Sequence, residues 1–534
     1  MNRQNNLMKH ASALFRASSW RRFELTLAAQ NDYDNPYSDV EVEVVFTRPG
    51  VQSIHTWAYW DGEERFAATI AFPSPGKWSY RTSCSHTEDA GLHAQIGEVE
   101  VEAVLPDEPN ALYRCGMLKP SGNGRYLQHA DGEPFFWLGD TVWPAFFRAK
   151  EAEWLAYIQD RAAKGFNVVQ VCLNWGGGRA SDMDGNEARL LEGGERWNPA
   201  FYQGVQKKIR IANDYGLVVL LNGLYCPKGR LTEGDSIVSY ENYEHYGRML
   251  AARFNGSFVI YSPSFDAPYH EACDRQGEAI RTVTSRHLIT QHPNTSPAGT
   301  AVPATEESYF EQPYLSFSMC QTGHHNGNRE LVLREAEEWI RGLARKLPPK
   351  PVVNGEAFYD AGGMTPNHHP KYQGTDRDSR AAGYLSLLSG ACGYTYGAYG
   401  LWNWELDPGV SHRAAMNFPS SEHMAVLARI FRSFRWWELE PASERIVHNP
   451  EAAQLRMALA SSGDESLLVA YMPDQSEIDI LLTIAESDSC KAAFLDPISG
   501  ERHQAAAVTR SGQRLKVRAE RRSEWVLLVQ VGRG

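Results

Sequence analysis

The chain has 534 residues, more than the roughly 250–300 at which a single hydrophobic core stops growing, so two or three domains are expected. Asp and Glu outnumber Lys and Arg by 65 to 53, giving a formal charge of −12; with no basic stripe this argues against nucleic acid as a partner. No run of about 18 apolar residues occurs, which excludes an ordinary transmembrane helix and with it a membrane partner.

From the amino end, Met1 to Gln30 mixes Arg, Lys, His and polar residues without an apolar leader core, so a cytoplasmic location is expected. Val40-Glu-Val-Glu-Val44 alternates apolar and acidic residues, and Lys77-Trp-Ser-Tyr-Arg81 alternates again after the turn Pro75-Gly76. A period of two means half-buried strands. Trp60-Asp-Gly62 supplies a further turn and no helical stripe precedes residue 104, so residues 1–106 read as an N-terminal β-sandwich. Leu105-Pro-Asp-Glu-Pro-Asn110 is a proline-rich connector.

From about residue 113 strands and helices alternate, the pattern of a parallel sheet. Phe135-Phe-Trp-Leu138 is the first buried run. Trp154, Leu155, Ile158 and Ala162 then stripe a helix that Gly165 stops, before the strand Val168–Leu173. The unit repeats with Phe201, Val205, Ile209 and Ala212, the stop Gly216 and the strand Leu217–Leu221. Further candidate strands are Phe258–Tyr261, His287–Thr290, Tyr314–Met319, Pro351–Val353 and Gly393–Tyr396. Eight such units over residues 107–438 predict an α/β fold, a (β/α)8 TIM barrel; a doubly wound sheet would need a phosphate-binding glycine turn after its first strand, and none is present. After Arg435-Trp-Trp-Glu438, the runs Leu467–Tyr471 and Trp525–Val529 predict a C-terminal β-sandwich over 439–534.

Active sites of such barrels lie at the C-terminal ends of the strands. Strand one ends in Asp140 and Trp143, strand two in Asn174-Trp175, strand three in Asn222 and strand four in Phe265-Asp266. The later ends carry Gln291-His292, Gln321 and His324, Asn354-Gly-Glu356, and Tyr399 with Trp402 and Trp404. Amides, carboxylates and imidazoles bond to sugar hydroxyls while indole and phenol rings support the C–H faces, so the rim suits a carbohydrate. Breaking an acetal needs one carboxyl to deliver a proton and a second negative group facing the oxocarbenium-like transition state; Asp266 and Glu356 meet that need by position. Asp140, Trp143, Asn174, Trp175, His292, Gln321, His324, Tyr399 and Trp402 are the expected substrate-binding residues, Asp140 as a ligand for hydroxyls rather than as the acid.

Other chemistries find little support. His270-Glu271 lacks the second histidine of a zinc motif, and His324-His325 and His368-His369 have no nearby third ligand, so no metal is expected. No G-x-S-x-G elbow occurs, and Gly176-Gly-Gly178 lacks the lysine of a phosphate-binding loop, so neither an esterase nor a nucleotide cofactor is indicated. The eight cysteines (Cys84, Cys115, Cys172, Cys226, Cys273, Cys320, Cys392, Cys490) are scattered singly, as small buried hydrophobes in a reducing compartment.

Trp137-Leu-Gly-Asp-Thr-Val-Trp143, Lys164-Gly-Phe-Asn-Val168, His292-Pro293, Gln321-Thr-Gly-His324, Gly355-Glu356 and Gly393-Tyr-Thr-Tyr-Gly-Ala398 together resemble the apiosidase-like family of (β/α)8 glycoside hydrolases. Phe46-Thr-Arg-Pro-Gly50, Tyr59-Trp-Asp-Gly62 and Phe72–Trp78 resemble the sandwich that often precedes such barrels, and the tail resembles the collagen-binding-like β-sandwich that often follows them. The resemblance implies catalytic roles for Asp266, as general acid/base, and Glu356, as nucleophile. The wider clan places Asn-Glu after strand four where this chain has Phe265-Asp266. An aspartate is one methylene shorter, so retention of configuration is expected by analogy alone. A glycan-binding protein without turnover and a transglycosylase are the alternative readings. The sugar, its linkage and the oligomeric state, a homo-oligomer included, are left open.

Overall fold

The computed structural model describes residues 13–173, 181–190, 195–222, 242–267, 271–293, 311–323, 328–360, 373–405, 410–483 and 489–532. At the amino end seven strands pair in the order Ala13–Ser18, Ile96–Glu102, Gly76–Cys84, Val42–Arg48, Val51–Trp60, Arg65–Ala71, Arg22–Ala28. Along Gly76–Cys84, Trp78, Tyr80, Thr82 and Cys84 are buried while Lys77, Ser79, Arg81 and Ser83 are exposed, because successive side chains leave opposite faces of a strand. Val42, Val44 and Phe46 turn inward in the same way. Phe46 meets Phe72 edge-on at 5.4 Å, and Phe72 lies 5.3 Å from Trp78, which fills this core with rings. The unit is fixed to the helix Tyr243–Phe254 by Arg253, whose guanidinium sits 2.5 Å from Asp61 Oδ1 and 4.2 Å from the Tyr59 ring centroid.

The middle of the chain alternates strands and helices around a curled parallel sheet. Seven of its nine described strands run in the order Val259–Ser262, Val218–Asn222, Val168–Cys172, Trp137–Thr141, Gly393–Ala398, Val352–Glu356, Ser318–Gln321; of the two short ones, Tyr359–Asp360 pairs with Gly393–Ala398 and Gln373–Gly374 with Tyr359–Asp360. Every residue of the seven is buried, as expected where helices cover one face and other strands the opposite one. Between the two edges lies the expected fifth strand, His287–Thr290. Tyr261 bridges Ile289 in parallel, Thr290 N–H donates to Tyr261 O at 2.9 Å, and Ser316 N–H donates to Ile289 O at 2.8 Å. It is a run of backbone bonds to both neighbours rather than a regular strand.

The first strand begins later than the apolar run suggested. Pro134–Phe135 joins a small antiparallel sheet with Leu118–Pro120 and Leu127–His129, and the parallel strand is Trp137–Thr141. The cause is Asn167, whose amide donates to Phe136 O (2.8 Å) and accepts from Leu138 N–H (2.9 Å), so that pairing with the second strand starts only at Gly139.

The helix Glu151–Ala163 buries Trp154, Tyr157, Ile158 and Arg161, whereas the expected Leu155 and Ala162 are half-buried at its flank. Its last turn is closed by Gly165 at φ 79°, a left-handed value that glycine adopts without strain. Pro199–Asp214 is capped by the Asn198 side chain, which accepts from Ala200 N–H, and buries Phe201, Val205, Ile209 and Ala212 as the spacing predicts.

After residue 438 seven antiparallel strands from Leu439–Pro441 to Arg514–Gly532 enclose a second core around Leu468, Met472, Phe494 and Leu527. Arg380, on the helix Asp376–Leu388, reaches across to Glu524 with two bonds (3.0 and 2.8 Å), and Tyr384 stacks on Tyr471 at 4.9 Å. Bidentate geometry and burial together make this a specific dock rather than a surface ion pair. Of the seven cysteines described, six are buried and none is in a disulfide; Cys226 lies outside the described residues. No described helix is long and apolar enough to cross a membrane.

One buried group makes this fold acid-sensitive. His287 is 4% exposed, its Nε2–H donates to Ser257 O (3.0 Å) and its Nδ1 accepts from the Thr284 hydroxyl (2.8 Å). Burial pushes its pKa down to about 3. The unfolded chain takes up a proton near the ordinary histidine value of about 6.5 while the folded one does not. Stability from this group is therefore complete above that value and is lost as pH falls from there toward 3, by about 1.4 kcal/mol per pH unit. Urea midpoints measured from pH 7 to 4 should fall with that added slope and flatten in His287→Gln; an equal slope in the variant refutes the assignment.

Candidate active site

Three strand ends and one turn build the site. Glu356 closes the strand Val352–Glu356 and is 5% exposed. Its Oε1 accepts a hydrogen bond from the Tyr359 hydroxyl at 2.5 Å, and that hydroxyl in turn accepts from the Trp143 indole N–H at 2.8 Å. The chain of donors runs one way, indole to phenol to carboxyl, and so orients a single carboxyl oxygen. The other, Oε2, lies 3.2 Å from His292 Nε2, close but without the alignment of a hydrogen bond. His292 is fully buried, and among the described residues its Nδ1 also has no hydrogen-bond partner.

Aromatic rings wall this pair. Trp143 packs against Phe265 at 4.5 Å and meets His292 edge-on at 5.3 Å. Trp402, the half-buried member, stacks on Tyr359 at 5.4 Å with 11° between planes, and Tyr399 meets its edge at 6.1 Å. The backbones are tied too: Trp143 N–H donates to Trp402 O at 3.1 Å. Gln321 pairs in register with Glu356, and Thr322 N–H donates to Glu356 O at 2.7 Å. That closeness requires Gly323, where an added Cβ would sit 2.0 Å from Ala357 O.

Of Asp266 the description covers the backbone. It lies in the short strand Phe265–Ala267, paired with His292-Pro293, so it adjoins the ring that packs on Trp143 and the residue beside Glu356. Trp143, His292, Gln321, Tyr399 and Trp402 are thus gathered around Glu356. Asn174, Trp175 and His324 lie outside the described residues. Trp404 turns away, stacking on His412 at 4.8 Å.

Asp140 requires a correction. Expected to hold substrate hydroxyls, it is fully buried; its Oδ2 lies 2.6 Å from Arg161 Nε and accepts from Tyr157 Oη (2.9 Å), and its Oδ1 accepts from Thr141 N–H. Its side chain leaves the strand toward the helix layer and its oxygens are taken up there. Burial is the largest influence and works against the Arg161 charge, but Asp140 together with Tyr157, Asp160 and Tyr396 around it more than offsets it and raises the guanidinium pKa above the ordinary value.

Tyr359 is the residue missed from sequence. A phenol three positions beyond a strand-end carboxylate was the available sign, but only folding brings it onto that carboxylate. Among the described residues no three His, Cys, Asp or Glu side chains are grouped as a metal site. The arrangement is one oriented, buried carboxyl walled by aromatic rings.

Comparison with known proteins gives the family and the fold. Residues 121–438 match the apiosidase-like catalytic domain, and residues 16–85 match a domain of unknown function. Among curated proteins none matches the sequence significantly. A solved glycoside hydrolase is similar over 78% of this chain and 97% of its own, at 22% identity and a TM-score of 0.64. A glycoside hydrolase family 5 structure from Bacteroides vulgatus gives 22% identity and a TM-score of 0.67 over 78% of this chain and 94% of its own. A candidate glycoside hydrolase from the same organism gives 17% and 0.72 over 97% of this chain and all of its own. At such identities the structures speak for the fold, and the family match speaks for the chemistry: the chain belongs to the apiosidase-like family through its catalytic domain, and it is a glycosidase.

Proposed function

We propose that the protein hydrolyses O-glycosidic bonds of plant or microbial oligosaccharides by a two-carboxylate mechanism, with Glu356 as nucleophile and Asp266 as general acid/base. The observation that carries this reading is the Glu356 carboxyl held by Tyr359 at 2.5 Å beneath a wall of Trp143, Phe265 and Trp402. A glycosyl ring resting on Trp402 would bring its anomeric carbon over Glu356, while Asp266, on the strand paired with His292-Pro293, would hand a proton to the departing oxygen. The backbone run 287–290, bonded to both neighbours, supports an eight-stranded closed barrel as the scaffold. The β-rich units at either end, over 1–106 and 439–534, would serve as separate β-sandwich domains. Six buried free cysteines support a reducing compartment, and so action on short rather than polymeric glycans.

The test is product stereochemistry together with trapping. Proton NMR of the first-formed sugar should show the starting anomeric configuration, and a 2-fluoro glycoside should label the peptide containing Glu356. Inverted product would reassign Glu356 as a base. Asp266→Ala should slow substrates with poor leaving groups by roughly 10²- to 10⁴-fold and spare those with good ones, because a good leaving group needs no proton. Equal losses on both would remove Asp266 from the acid role. Tight sugar binding without turnover across a broad panel would make the protein a glycan binder, and products longer than the substrate would make it a transglycosylase.

A further inference from the structure

Trp402 sits on a turn whose backbone is held in an unfavourable state. Trp404 (φ 46°) and Glu405 (φ 66°) are the only two successive non-glycine residues with left-handed φ among those described. A bulky side chain rarely adopts that region, and such strain persists only where the surroundings impose it. The imposing contacts are visible. Glu405 Oε1 accepts from His412 N–H at 2.9 Å and also meets His412 Nδ1. The Trp404 indole lies flat on the His412 ring (4.8 Å, 9°) and meets Tyr157 edge-on at 5.7 Å. His412 opens the helix His412–Met416, capped by Ser411, so the far end of the turn is anchored on regular structure. Its near end is closed by Trp402 N–H to Ala398 O (3.0 Å) and Trp404 N–H to Leu401 O (3.0 Å).

We propose that Glu405 and His412 form a clasp that holds this turn left-handed and thereby fixes Trp402 flat against Tyr359, making both positioning residues for the sugar beside Glu356. The inference rests on the glycosidase reading above and adds to it the device that sets the ring platform. Among the described residues, neither makes a hydrogen bond, ion pair or ring contact with Glu356. Glu405 has a side chain 42% exposed and His412 one 7% exposed, so the clasp lies at the margin of the site, where it acts through Trp402. Releasing it frees a ring to sample orientations before a sugar can stack, which weakens binding of substrate and transition state alike and leaves the chemical step nearly untouched.

The test is a double-mutant cycle between Glu405 and Trp402. Asn tolerates left-handed φ but is too short to reach His412, so Glu405→Asn removes the clasp without adding backbone strain. It should raise KM for an oligosaccharide about five- to tenfold with kcat within about twofold, and Trp402→Ala should act in the same direction. On the Trp402→Ala background, Glu405→Asn should add less than about twofold, since both changes remove one interaction. Additive effects, or an unchanged KM in Glu405→Asn, overturn the proposal. Glu405→Gln, which keeps an oxygen for His412 N–H, should recover part of the lost KM; no recovery with intact folding counts against the clasp. If the wild type turns over no glycoside, the function reading fails by itself, and the same four proteins titrated with oligosaccharide and followed by tryptophan emission still decide whether the two positions are coupled.

Discussion

Replacing Glu356 with glutamine is expected to lower kcat/KM on any glycoside the protein hydrolyses by roughly 10⁴-fold or more, because in the proposed mechanism the nucleophile and the charge facing the transition state go together. Glutamine has nearly the same volume, and its amide oxygen can still accept from the Tyr359 hydroxyl now 2.5 Å from Oε1. The packing of Trp143, Phe265 and Trp402 should therefore survive, with Tm unchanged within about two degrees. The contrast between large kinetic and negligible thermal effects is the signature sought. If the variant keeps a tenth of the activity or loses its cooperative melt, Glu356 is either not the nucleophile or is a structural residue.

The largest stability loss is expected elsewhere, at Asp140→Asn. The variant leaves Arg161, fully buried, facing a neutral amide where a carboxylate stood 2.6 Å away. Removing one partner of a buried pair typically costs about 3–5 kcal/mol, since the remaining charge is uncompensated. Asp160 lies 3.0 Å from Arg161 Nη1 and keeps part of the compensation, so about 3 kcal/mol is the expectation here. Urea unfolding measures it. The double variant Asp140→Leu with Arg161→Met, apolar and of similar volume, should recover most of the loss. Recovery of stability by the double variant alongside a steady kcat/KM would also show that Asp140 takes no part in holding substrate; a kinetic loss that persists in the stable double variant would return it to the site.

These two carboxylates separate what can be read from residue order from what cannot. Both follow apolar runs and both were expected at the rim. Glu356 closes its strand beside Tyr359 and His292 while Asp140 is taken up by Arg161 and Tyr157, although nothing in their sequence neighbourhoods distinguishes them. A parallel strand is covered on both faces, so apolar residues point both ways along it and the alternation that would reveal which way a side chain points is missing. The helix layer, carrying Arg161 and Tyr157, decides that Asp140 turns to the helix-covered side of the curled sheet. The start of the first strand was displaced for a similar reason, because Asn167 supplies from the next unit the hydrogen bonds that a neighbouring strand would have made.

By itself the sequence determined the elements whose signals are local: the alternating strands of the amino-terminal unit, the helix ended by Gly165 with its glycine at φ 79°, the apolar stripe of Pro199–Asp214, and the carboxylate closing Val352–Glu356. Such features depend on backbone sterics and on side chains a few residues apart, and so they are written in order along the chain. Tertiary structure alone decided which distant groups meet. Trp143, Phe265, His292 and Trp402 converge on Glu356 and Tyr359 from positions up to 259 residues apart, and the turn at Trp404 and Glu405 is left-handed only because His412 holds it there. The free energy that orients those side chains comes from packing and hydrogen bonds across the fold, which no local pattern encodes.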